Sequence, residues 1–138
     1  MSGSTIIHHL LNRSPVILGF PLPVTKQYLD FAPQAETPPY IIISDVGGSD
    51  GLHLLGMDRY PVDRVQIDHV CTSPVDARNL CSRVNDVLTS SFKRTITHAN
   101  LKVKDVDIYE AGRPYSIYVD GREFSAISQD FYVRWRYQ

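Results

Sequence analysis

Prolines at positions 15, 21, 23, 33, 38 and 39 exclude most of the segment from 15 to 39 from helix and from any central strand. Each proline removes a backbone donor and pushes its predecessor out of the helical region. Regular structure must therefore lie before and after this stretch, with one short strand near Thr25 to Phe31 the only element expected inside it. Ahead of it, Ile6, Ile7, Leu10 and Leu11 form the stripe of an amphipathic helix running from Ser4 to Arg13, with Ser4 as its cap. Behind it, Tyr40-Ile41-Ile42-Ile43-Ser44 is β-branched and bounded by Pro39 and Gly47-Gly48, the pattern of a buried strand.

The run GGSDGLHLLGM from 47 to 57 has no clear period and reads as a long hairpin loop. A strand from Asp58 to Val70 follows. Its apolar phase changes between Tyr60, Val62 and Val65, Ile67, which predicts a β-bulge near Asp63 or Arg64. Ser73-Pro74-Val75-Asp76 then supplies a capping hydroxyl, a first-turn proline and an acid three residues after the cap. The helix it starts carries Ala77, Leu80, Cys81, Val84, Val87 and Leu88 on one face, and this stripe is predicted to pack on a sheet.

After Phe92 the strand pattern returns, with Leu101 and Val103 slipping phase to Val106 and Ile108 in a second bent strand. Tyr115 to Val119 is expected to pair through an Asp120-Gly121 turn with the segment starting at Arg122. The last strand sets Phe131, Val133, Trp135 and Tyr137 against Tyr132, Arg134, Arg136 and Gln138. Helix, strands, helix, strands, joined by hairpins, predicts a single α+β domain over 1–138. Its sheet is antiparallel, or mixed, with two main helices packed on one face.

Chemistry is harder to find than packing. With 14 basic against 15 acidic residues the net charge is −1, so no global field holds the chain on a nucleic-acid backbone or an anionic membrane. Apolar runs are far shorter than a membrane span, and no secretory pattern opens the chain, so a soluble cytosolic protein is expected. Cys71 and Cys81 then read as free, buried thiols. His8-His9 are helical neighbours about 100° apart and do not share a coordination sphere. The glycines at 47, 48 and 51 lack the Gly-Lys-Ser/Thr ending of a phosphate loop. Asp45, Asp50 and Asp58 lack calcium-loop spacing and read as solvated turn acids. Ser49, His53 and Asp50 or Asp58 form no nucleophile elbow. No catalytic residue, metal or cofactor is expected.

The joint order of several packing motifs carries more information. The helix ending at Leu11-Asn12-Arg13-Ser14-Pro15 is followed by the Ala32-Pro33-Gln34 turn and Pro38-Pro39-Tyr40-Ile41-Ile42-Ile43. Then come Val65-Gln66-Ile67-Asp68, the helix of Ala77, Leu80, Val84 and Leu88, and Phe131-Tyr132-Val133-Arg134-Trp135. This order resembles the tail-terminator and minor tail-completion proteins of long-tailed bacteriophages. The resemblance implies a virion protein at the head-proximal end of the tail, present in the host cytoplasm during assembly. It implies a homo-oligomeric ring, a hexamer, docking on the tail-tube protein and meeting the head connector or completion protein, with no membrane and no sequence-specific nucleic acid as partners.

Partner contacts are expected at Asp50, Leu52, His53, Leu54, Leu55 and Met57, because exposed leucines beside glycines are costly unless covered, and at Arg134 and Arg136. The leucines folding back on their own core is the competing reading. Another head-tail joining or minor tail protein is the alternative within the class. A small enzyme would be marked by a deep pocket with convergent titratable groups. A nucleic-acid module would be marked by Arg59, Arg64, Arg134 and Arg136 clustering on one face.

Overall fold

A computed structural model describes residues 2–12, 16–17, 20–21, 27–33, 37–49, 52–53, 56–57, 62–89, 94–98, 101–117 and 124–137. The expected features at Arg13-Ser14-Pro15, Asp58, Arg59, Tyr60, Phe92, Tyr118 to Arg122 and Gln138 lie outside these residues.

The chain runs α1 (Gly3–Asn12), β1 (Val16–Ile17), β2 (Phe20–Pro21), β3 (Gln27–Leu29), β4 (Tyr40–Ser49), β5 (Leu52–His53), β6 (Gly56–Met57), β7 (Val62–Cys71), α2 (Pro74–Thr89), β8 (Arg94–His98), β9 (Leu101–Glu110), β10 (Tyr115–Ile117) and β11 (Ser125–Tyr137). The main sheet has the order β3-β4-β7-β11-β9-β8, with β10 also paired to β11. It is an α+β arrangement with a mixed sheet. β3 lies parallel to β4, and the other pairs in this sheet are antiparallel.

Strand alternation sorts the side chains. Ile41 and Ile43, Val65, Ile67 and Cys71, and Ile127, Phe131, Val133 and Trp135 occupy odd positions of three neighbouring strands. They join Ile6, Ile7 and Leu11 of α1 and Ala77, Leu80, Cys81, Val84 and Leu88 of α2 in one buried cluster. Each large apolar side chain fully buried there contributes roughly 1.5–3 kcal/mol. A smaller cluster of Tyr40, Val70 and Ala126 lies at even positions, with Tyr28, Ile42, Ile117 and Phe124 packed around it.

α2 starts as its sequence predicts: the Asp76 amide donates to Ser73 Oγ at 3.2 Å. α1 starts differently. Ser4 lies inside the helix, and the side chain at the cap position is Ser2, whose Oγ accepts from the Thr5 amide at 3.4 Å. Two acids of the sheet complete the cap. The Gly3 amide donates to Asp63 Oδ2 at 2.6 Å, while the Ser4 amide and hydroxyl donate to Asp45 Oδ1 and Oδ2 at 3.1 and 2.6 Å. Orphan helical donors and the positive end of the helix dipole are thereby met by carboxylates. Asp45 is exposed, as expected, but it is a strand residue serving as a cap and not a turn acid.

This cap corrects the predicted bulge. β7 pairs with β11 without a shift from Cys71 to Val62, so the strand carries no extra residue at Asp63 or Arg64. The apolar phase breaks at 63 because that inward position holds the capping acid. The bulge lies across the ladder in β4, where the register shifts between Asp45 and Gly47. The second bent strand holds: β9 gains a residue against both β11 and β8, and Asp105 in the bulge has φ +51°.

The loop from 47 to 57 is corrected as well. Gly47 to Ser49 continue β4, opposite Arg64 to Val62, and β5 and β6 pair beyond them with Leu52 opposite Met57. Glycine lowers strand propensity without removing backbone donors or acceptors, so a ladder already set by β7 runs through it. β10 pairs with β11 as expected, but Ile117 faces Ala126. A two-residue turn at Asp120-Gly121, which lies outside the described residues, would set Ile117 against Phe124 in an unbroken ladder.

Candidate functional site

The registers bring together regions far apart in sequence. Ser49 of β4 faces Val62 of β7, Val62 faces Arg134 of β11, and Arg134 faces Asp107 of β9. In a neighbouring row Gly47 faces Arg64, Arg64 faces Tyr132, and Tyr132 faces Tyr109. The root of the β4–β7 hairpin and Arg134 therefore share one end of the sheet. Leu52, His53 and Met57 lie in the small ladder beyond that root, while Asp50, Leu54 and Leu55 fall outside the described residues.

On this end the even-numbered face is polar and aromatic. Arg64 Nε donates to Asp130 Oδ2 at 2.9 Å and its Nη2 lies 2.7 Å from the same oxygen. The hydrogen bond and the charge of Asp130 raise the Arg64 pKa above its usual value. The guanidinium carbon stands 6.0 Å from the Tyr132 ring centroid, and Tyr132 meets the exposed Tyr109 at 5.5 Å with planes tilted by 42°. Arg136 Nη1 lies 3.5 Å from Asp105 Oδ2, both half-exposed, a contact worth little in stability.

Arg64, Arg134 and Arg136 do share a sheet face, as a nucleic-acid module would require. Acids are interleaved among them: Arg64 is bound to Asp130, Arg136 to Asp105, and Arg134 sits opposite Asp107. Such a strip has little net field and favours mixed polar contacts over a phosphate backbone. Arg64 and Asp130 were missed as a pair from sequence. The signal available was the alternation of Arg64, Gln66 and Asp68, a polar face with no hint of its partner strand.

Elsewhere, Cys71 and Cys81 are free and buried, as expected. Burial, with a smaller contribution from Asp76 near Cys71 and from Glu110 near Cys81, pushes the thiols up to about 12 and about 11, so neither is a ready nucleophile. His69 is fully buried, its Nδ1 2.9 Å from the Ile127 carbonyl oxygen, and desolvation lowers its pKa to about 4. Among the described residues no group of three or more His, Cys, Asp or Glu is placed to hold a metal ion, and no helix is long and apolar enough to cross a membrane.

Neither a protein-family model nor a curated protein matches this chain. Among solved structures, its fold is similar to that of a chain in the virion of a native gene transfer agent particle. The TM-score is 0.65 at 14% identity, covering 97% of this chain and 94% of the other. At that identity the likeness is one of fold.

Proposed function

We propose that this chain is a non-enzymatic virion assembly protein of the tailed-phage type, a terminator that closes the tail tube as a hexameric ring and presents the surface joined to the head connector. The observation that carries this reading is a fold likeness to a chain of a virion particle over 97% of the length. The packing motifs of the sequence support the same class in the same order.

The mechanism is steric and interfacial. A ring repeats each contact around the tube, so that individually weak contacts add by effective concentration once the first subunit docks. The β4–β7 hairpin is the tube-facing element in this reading. Its sequence carries the β5–β6 ladder, and its root adjoins the Arg64, Tyr132 and Tyr109 strip. Bound subunits occupy the surface on which the next tube ring would polymerise. No bond is made or broken.

Mixing the purified chain with polymerising tail-tube protein tests this. The expected result is shorter tubes, each carrying the chain at one end only, in a stoichiometry set by the ring. Unchanged tube lengths, or binding along the tube wall, would contradict it.

A further inference from the structure

The assembly reading leaves open how copies of the chain meet, and two features set apart along the strand order fit one another. The first is a knob after the edge strand β3. Phe31 is 79% exposed and Leu29 41% exposed. The Phe31 amide donates to the Leu29 carbonyl at 2.8 Å, the Asp30 amide donates to the Ile43 carbonyl at 2.9 Å, and Asp30 has φ +68°. This is the rare, strained form of the three-residue turn. Anchored to β4, it holds an aromatic ring out from the sheet edge with an exposed acid beside it.

The second feature is a groove between α2 and residues 111–114, the link between β9 and β10. It is open to solvent on one side, has a volume of about 190 Å³ and is lined by Arg78, Cys81, Ser82, Asn85, Pro114 and Ile127. Its walls are fixed: Asn85 Nδ2 donates to Glu110 Oε1, and Gln129 Nε2 donates to the Gly112 carbonyl at 3.0 Å. A cavity of roughly 150 Å³ accepts benzene, so this one has room for a phenyl ring. The charges match as well. Arg78, exposed on α2, stands on the groove, Asp30 flanks the ring, and among the described residues neither is engaged in an ion pair of its own chain.

We infer that the Leu29-Asp30-Phe31 knob of one copy seats in the α2 groove of a second copy, with Phe31 filling the cavity and Asp30 meeting Arg78. This rests on the assembly reading. The knob lies at one end of the strand order, and β4 and β7 separate β3 from β11, which bears Ile127. Knob and groove are different surfaces, so the contact is head-to-tail, the kind that when repeated gives a ring if its rotation closes and an open filament if it does not.

Native mass spectrometry of the full chain over a concentration series tests the contact, with thermal melts as a control for folding. Phe31→Ser, Asp30→Lys and Arg78→Glu all alter exposed side chains. Each is expected to weaken self-association roughly tenfold or more, and the Asp30→Lys/Arg78→Glu pair to restore it, since like charges repel and the swapped pair attracts. Wild-type association in all three single variants, or no recovery in the pair, would overturn this contact and leave the assembly role standing. A wild-type chain that never associates, alone or with tube protein, would overturn both.

Discussion

His69 shows how a single residue couples this core to pH. Its ring is sealed beneath the helices, so the folded state resists protonation until about pH 4, whereas the unfolded chain takes up the proton near 6.5. The sign follows: stability from this group is complete above pH 6.5 and is lost as pH falls from 6.5 towards 4, with a ceiling of about 3 kcal/mol. Urea melts at pH 7.5 and 4.5 should show wild type losing more stability than His69→Gln, by an amount approaching that ceiling. Equal losses would place the imidazole in contact with water. A second residue-scale test concerns Gly3. A Cβ there would lie 2.8 Å from Asp63 Cβ and 2.9 Å from Val65 Cγ2, atoms on strand β7 that have little freedom to give way. Gly3→Ala should cost roughly 1–3 kcal/mol despite alanine's better helix propensity. An unchanged or raised melting temperature would mean that α1 does not dock with its N-terminus against β7.

Elements were legible from sequence where local and tertiary demands agree. α2 is such a case: Ser73, Pro74 and Asp76 start it, and the residues predicted to face inwards include the buried Ala77, Leu80, Cys81, Val84 and Leu88. Either Leu80→Asp or Val84→Asp would bury an unpaired carboxylate at a cost of several kcal/mol and should abolish soluble folding. Normal far-ultraviolet dichroism and melting for either would show that this face is not inward. Where the two demands conflict, the sequence misled. Asp63 looks like a phase slip because its inward position serves a helix sixty residues away, and the Gly47-Gly48 pair looks like a loop although β7 holds it in a ladder. The candidate surface divides the same way. Arg134 was visible in the alternation of β11, and the expectation that the hairpin meets a partner came from its leucines beside glycines. That the two adjoin, and that Arg64 is bound to Asp130, depends on the register of β4, β7 and β11, which packing of the whole sheet sets.

For the whole molecule, the proposed role is steric: a small mixed sheet backed by two helices would act by occupying space at a tube end. Self-association in isolation should be weak and strengthened by the tube, because a terminator that closed rings freely would do so before a tube end existed. The most direct measurement is the distribution of tail lengths, by electron microscopy, in particles assembled without this chain. Tails of uncontrolled length that fail to join heads are the predicted result, with both defects reversed when the chain is supplied. Tails of normal length joined normally to heads would contradict the account.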